Sequence, residues 1–253
     1  MLSTRLKKLS GFIGILSIWL TVGATVTAQE KVEAPEIIMR LELPFPDLPA
    51  LTIFIARPRK LDADGHPVII YFEGGGQEEK YAKNAMYSNL AREALRRGYI
   101  FISPAAPCRA CTFPAKGDRY FPSLFELLTQ QLPVRNKKFH LMGYSNGGIS
   151  SLHLGSQHPN WVASITTLPG ALRDPSKDVV AALAPLCITM HVGSKDRPFL
   201  RGQRRLVNRF NEIGREINAI EHSKQRHWIK TLATPRGANR LLDDIENSVG
   251  CPQ

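Results

Sequence analysis

The stretch "KKFHLMGYSNGGIS", Lys137 to Ser150, places one serine between two glycines, each two positions away. A short apolar run precedes it and a helix-like segment follows. A strand "KKFHLM" feeding a helix that begins near Gly147 leaves Ser145 on a tight strand-to-helix turn. Such a turn lifts a hydroxyl above the end of a sheet, beside a helix N-terminus that favours developing negative charge. Gly143 and Gly147 are then needed because the flanking strand and helix leave no room for a Cβ. A glycine-rich turn with a capping serine would show the same letters. The position after an apolar strand and before a helix favours a nucleophile.

Working outward, the chain alternates. "EIIMRLEL" and "LTIFIARP" read as strands joined through "PFPDLPA". "PVIIYFEGGG" is a buried strand ending in glycines, and "KNAMYSNLAREALRRG" an amphipathic helix stopped at Gly98. Strands follow at "YIFISPAAP", "WVASITTL", "LCITMHVGS" and "EINAIEHS". Helices follow at "SLFELLTQQL", "GGISSLHLGSQH", "SKDVVAALAP", "FLRGQRRLVNRFNEIG" and "ANRLLDDIENSV". Strand alternating with helix, with strands apolar on both faces, predicts an α/β chain: a mostly parallel sheet covered by helices on both sides. Chemistry in such sheets sits beyond the carboxyl ends of the strands.

A serine hydroxyl needs a base, and the base needs an orienting acid. Asp196 follows the strand "LCITMHV" directly through Gly193 and Ser194, with Pro198 opening the next helix, and is preferred over Asp174 and Asp178. A helix cap is its structural alternative. His227, in the loop beyond the last strand and beside Trp228, is preferred as base over His222, which sits at that strand's end. His191 and His140 read as packing histidines. An oxyanion would be met by the backbone amide of Asn146, the residue after the serine, and by that of Gly75 or Gly76 in "FEGGGQ".

"EGGG", "GYSNGG", "GSKD" and "RHW", spread over the chain after its leader, together resemble the α/β-hydrolase family. "GYSNGG" and the long helix after "HVGSKD" are most similar to its secreted esterase branch, which includes polyhydroxyalkanoate depolymerases and feruloyl esterases. Dienelactone-hydrolase and prolyl-oligopeptidase-like catalytic domains are similar too. The resemblance implies an α/β-hydrolase fold. It implies a serine hydrolase, with carboxylic esters as the main substrate class and peptides as the alternative. Ser145 would be nucleophile, Asp196 acid and His227 base. A binding module that kept the fold without the chemistry is the rival from another class. Glu73 stands where related esterases carry a histidine before the glycines, and a carboxylate there would repel an oxyanion unless it is turned away or paired. About fifteen residues separate "ITTLPG" from "LCITMHV", too few for a separate lid. A sparsely covered site suits bulky or polymer-attached esters and a deeply enclosed lipid chain less well.

The start "MLSTRLKKLSGFIGILSIWLTVGATVTAQE" has a basic opening, an apolar run and small residues at Val26 and Ala28. It is laid out as a secretory leader over residues 1–28, with the catalytic domain over 29–253 and an uncleaved anchor as the alternative. An exported protein, periplasmic or extracellular, is expected to pair its cysteines. Cys108 and Cys111 follow one strand at the active edge. Cys187 begins its strand at the opposite edge, where the last helix would deliver Cys251. Pairs Cys108–Cys111 and Cys187–Cys251 are therefore expected, with a thioredoxin-like role for "PCRAC" as the lesser reading.

The formal charge is +11, and about +8 without the three basic residues of the leader. No recognition module or interleaving of aromatic and basic residues points to nucleic acid. The basic run "RGQRRLVNR", Arg201 to Arg209, reads as a solvated helix face. No metal-ligand spacing is visible, and neither metal nor organic cofactor is expected. Nothing in the sequence sets the oligomeric state.

Overall fold

The computed structural model describes residues 37–108 and 112–252. The leader expected over 1–28 lies outside the described residues.

Eight strands form one sheet: β1 (Ile37–Phe45), β2 (Leu48–Arg57), β3 (Val68–Phe72), β4 (Ile100–Pro104), β5 (Phe139–Gly143), β6 (Val162–Thr167), β7 (Cys187–Gly193) and β8 (Asn218–His222). Their spatial order is β1-β2-β4-β3-β5-β6-β7-β8. β1 and β2 form an antiparallel pair, and β2 runs antiparallel to β4. From β4 to β8 every pairing is parallel.

The inner parallel strands β3 and β4 are apolar almost throughout because both faces are covered, whereas the edge strand β8 is half-exposed and carries Asn218, Glu221 and His222. In β3, Val68, Ile70 and Phe72 join one core, while Ile69 and Tyr71 pack on the other side. In β4, Ile100 and Ile102 oppose Phe101 in the same way. The first core is closed by α3 (Phe121–Gln131), α4 (Asn146–Gln157), α5 (Lys177–Leu183) and α6 (Arg197–Asn211). The second is closed by α1 (Glu79–Ala85), α2 (Asn89–Arg96) and α7 (Pro235–Glu246). A side chain moved from water into either core stabilises the fold by about 1.5–3 kcal/mol.

One expected helix is two. The segment read as continuous from Lys83 to Gly98 breaks at Ser88, whose backbone is extended and whose hydroxyl accepts the Ala91 amide of α2. The serine satisfies an otherwise unpartnered N–H, and this outweighs continuation of the first helix. Gly98, at φ +79°, ends α2 as read from the sequence. Between β6 and β7 the chain forms only α5, with no inserted domain.

The disulfide Cys187–Cys251 is present and closes a separation of 64 residues. It lies at the start of β7, away from the strand ends that bear the site. The Ile188 amide donates to Gly250 O at 2.9 Å, and Arg215 donates to the same carbonyl at 2.7 Å, so the C-terminal tail is tied down beside the bridge. Closing a loop of that length stabilises the fold by about 4 kcal/mol through the unfolded chain. The expected Cys108–Cys111 pair includes Cys111, which lies outside the described residues.

Candidate active site

The turn at Ser145 is set by close backbone approach. A Cβ on Gly147 would lie 1.8 Å from the Phe72 carbonyl oxygen, and one on Gly143 would lie 2.2 Å from backbone atoms of Gly147. Only hydrogen fits at either place, so β5 can pass straight into α4. Ser145 itself adopts φ +58°, ψ −117°, a costly conformation for a residue with a side chain. It is held by its amide donating to Pro169 O at 2.8 Å and by Gly147 N donating to Tyr144 O at 2.8 Å. Ser145 stands at the N-cap position of α4, yet its side chain caps nothing.

The Ser145 hydroxyl meets His227 Nε2 at 2.8 Å. His227 Nδ1 meets Asp196 Oδ2 at 2.6 Å. With Asp196 ionised, Nδ1 carries the proton and donates, which leaves Nε2 as the acceptor for the serine O–H. Asp196 also stands at a helix N-cap without capping it. Its carboxylate is buried and serves the imidazole instead. Two loops are locked to hold the pair: Lys195 N donates to Gln225 O at 2.8 Å, and Lys224 N donates to Ser194 Oγ at 2.9 Å. The imidazole lies between Tyr144 and Phe199, ring centroids 5.2 and 4.8 Å away. Trp228 packs edge-on against Tyr144 at 5.3 Å, as expected of a residue holding the loop, and stays 53% exposed.

The glycine loop after β3 passes over the serine. A Cβ on Gly74 would lie 2.8 Å from Tyr144 Cδ1 and 3.3 Å from Ser145 Cβ. Gly75 takes φ +60°, and its carbonyl accepts Asn146 Nδ2 at 2.7 Å. The segments bearing the expected oxyanion donors, Asn146 on one side and Gly75 or Gly76 on the other, are thereby stitched together. Gln77 anchors the loop. It is fully buried, donates to Ser150 Oγ on α4 at 2.8 Å and accepts from Phe113 N at 2.9 Å. Its backbone carbonyl accepts from Ala106 N. Nothing in the sequence marks Gln77 beyond its place after three glycines, and its role is visible only in these partners.

Burial raises the Glu73 carboxyl to about 7, with the Gly74 amide pulling the other way. Burial first, then the charges of Asp196 and Glu73, raises the Tyr144 phenol. Beside Tyr144 and Trp228 opens a cavity of about 330 Å³, with Tyr71, Tyr87, Leu168 and Leu241 among its walls. Among the described residues, no group of three or more His, Cys, Asp or Glu converges as a metal cage would.

Comparison with solved structures places the chain beside a thermostable esterase (TM-score 0.66, 16% identity), covering 83% of this chain and 64% of that one. Dienelactone hydrolase from Anabaena variabilis superposes with TM-score 0.64 at 12% identity, over 83% of this chain and 97% of the other. Acetyl xylan esterase from Aspergillus awamori gives 0.65 at 12%, over 83% and 99%. The fold is that of the α/β-hydrolases. In sequence, the chain is 24% identical over 188 residues to "Putative esterase NocK" of Nocardia uniformis subsp. tsuyamanensis, covering 70% of this chain. The chain spans about half (51%) of that relative's length. No family model matches the chain.

Within this α/β-hydrolase fold the rejected candidates have other partners. His222 pairs with His191, Nε2 to Nδ1 at 3.0 Å, beside β7. Burial, then the neighbouring His222, lowers His191 to about 3, so it packs as a neutral ring. His140 bonds Ser164 Oγ at 2.8 Å, and burial lowers it to about 4. Asp174 and Asp178 are exposed, outside the hydrogen-bonded set around His227.

Proposed function

We propose that the chain is an exported serine hydrolase that cleaves carboxylic esters through an acyl-enzyme intermediate. The observation that carries this reading is the unbroken line Ser145 Oγ, His227, Asp196, with contacts of 2.8 and 2.6 Å. His227 Nε2 takes the hydroxyl proton as Ser145 Oγ bonds to the ester carbonyl carbon. Asp196 holds the imidazole and stabilises its positive charge. The amides of Asn146 and of Gly75 or Gly76 receive the oxyanion. Collapse expels the alcohol, which leaves with the proton from His227. Water then adds to the acyl carbon, its proton passing to His227, and the acid is released as Ser145 regains its hydrogen.

The likeness to esterase folds supports the ester reading, and the short α5 segment between β6 and β7 leaves the site open to bulky or polymer-attached esters. The apolar cavity beside Tyr144 and Trp228 offers a seat for one arm of the ester. Export is supported by the leader-like residues 1–28 and by the disulfide, which an oxidising compartment preserves. No helix among the described residues is long and apolar enough to cross a membrane.

Labelling by a fluorophosphonate, lost in Ser145→Ala, tests the nucleophile. An unreactive Ser145 in folded protein favours a binding module. Hydrolysis of short and long p-nitrophenyl esters alongside a peptide panel tests the bond cleaved, and a clear preference for long acyl chains or peptides would defeat the open ester site.

A further inference from the structure

The rim of the site is cationic where the Asp196 and His227 loops form it, while the glycine loop carries Glu73 and Glu78 and leads to Glu79 at the start of α1. The loop bearing Asp196 carries Lys195 and Arg197, and the loop bearing His227 carries Lys224, Arg226 and Lys230, all exposed. The carboxylate on these two loops is Asp196, which is buried and bonded to His227. These five cations form no ion pair among the described residues, so their field is open to a ligand.

The charge continues along α6, whose first residue follows Asp196. Arg197, Arg201 and Arg205 recur every four residues and so lie along one side of the helix, about 6 Å apart along its axis. All three are exposed and unpaired among the described residues, whereas Arg204 is taken by Glu221 and Arg209 by Glu212. The row ends in a surface concavity of about 310 Å³ lined by Arg173, Arg205 and Arg209, by Asn208, and by the carboxylates Asp174 and Glu212, the latter paired with Arg209. The cations of α6 are all arginines, with no lysine. A planar guanidinium pairs with a carboxylate through two parallel hydrogen bonds, which a lysine cannot do.

We propose that the ester cleaved at Ser145 belongs to a partly esterified polycarboxylate chain, whose free carboxylates follow Arg197, Arg201 and Arg205 away from the site. This rests on the hydrolase reading above and specifies its substrate. The run "RGQRRLVNR" is then more than a solvated face, because it continues α6, whose first residue, Arg197, follows Asp196. Each ester cleaved would expose a new carboxylate at the cationic rim, where Lys195 and Arg226 stand ready for it. A nucleic acid is disfavoured because the exposed face of α6 offers no aromatic ring for a base to stack on.

The test compares partly methyl-esterified polygalacturonate with a neutral acetylated polysaccharide and with 4-nitrophenyl acetate. Between about 0.01 M and about 1 M salt the Debye length shrinks from about 30 to about 3 Å. Over that range kcat/KM on the polyuronate ester is expected to fall about tenfold, with little change on the neutral esters. In the triple variant Arg197→Gln, Arg201→Gln, Arg205→Gln, the ratio of polyuronate to neutral activity is expected to fall about tenfold, with most of the salt dependence lost. The melting temperature reports that the variant is folded. The proposal is overturned if the polyuronate ester is cleaved no faster than the neutral one at low salt. It is overturned equally if the salt dependence survives in the variant, or if a single-stranded polynucleotide inhibits as strongly as de-esterified polygalacturonate. Inactivity of the wild type on every ester would instead sink the hydrolase reading. Retention on immobilised polygalacturonate, present in the wild type and lost in the triple variant, then still decides the arginine row.

Discussion

The side-chain amide of Asn146 donates to the carbonyl of Gly75 at 2.7 Å, across 71 residues of chain. The residue that follows Ser145 thus ties down the glycine loop, and in the proposed mechanism it positions one oxyanion donor segment while its own amide offers another. Asn146→Ala keeps the amide but frees the loop. The expected result is a fall of about 10- to 100-fold in kcat with KM nearly unchanged, since misplaced donors weaken transition-state binding more than substrate binding. Steady-state kinetics on 4-nitrophenyl acetate checks this, and a change confined to KM would contradict it.

The two histidines separate cleanly. His227→Ala is expected to lower kcat by about 10⁴-fold, because the hydroxyl loses its base. His222→Ala removes only the partner of His191, whose ring is fully buried. That variant is expected to lose about 1 kcal/mol of stability while keeping the pH profile of the wild type. Loss of activity in His222→Ala at unchanged melting temperature would overturn the assignment.

Gly147 tests the turn itself. An added Cβ would lie 1.8 Å from Phe72 O, an atom of the central strand β3 that cannot move without breaking the sheet. Gly147→Ala is expected to cost at least about 3 kcal/mol or to prevent folding. Urea denaturation measures it, and a variant of wild-type stability would mean that β3 and α4 are farther apart than described.

Glu73 makes stability depend on pH. Burial holds its carboxyl at about 7 in the fold against an ordinary 4.5. Below the lower value both states are protonated and the fold keeps its full stability. As pH rises, the unfolded chain releases its proton first, so stability declines and the contribution is gone once pH passes about 7. Glu73→Gln abolishes this loss. The melting temperature of the variant relative to wild type is expected to be higher at pH 8 than at pH 5, and an equal gap at both would place the carboxyl in water.

Much of the architecture was readable along the chain. Alternating strand and helix signals located all eight strands: the inner strands β3 and β4, covered on both faces, are near-continuous apolar runs, and the edge strands β1 and β8 alternate exposed and part-buried positions. Ser145 was readable for a similar reason: the glycines at 143 and 147 answer clashes with backbone only a few residues away or on the next strand. The break at Ser88 was less legible, since an amphipathic pattern runs through it and one side-chain cap decides it.

What the linear sequence determined by itself was local: which segments pair into a sheet, where the chain turns sharply and which serine stands on that turn. That His227, already preferred over His222 in the sequence, comes within 2.8 Å of Ser145 Oγ, that Asp196 bonds His227 instead of capping α6, the anchoring by Gln77 and the direction of the arginine row on α6 belong to the tertiary structure. These depend on contacts such as the 31 residues between Asp196 and His227 and the 82 between His227 and Ser145. Hydrogen bonds act over about 3 Å, and only a packed sheet brings such distant residues within that range.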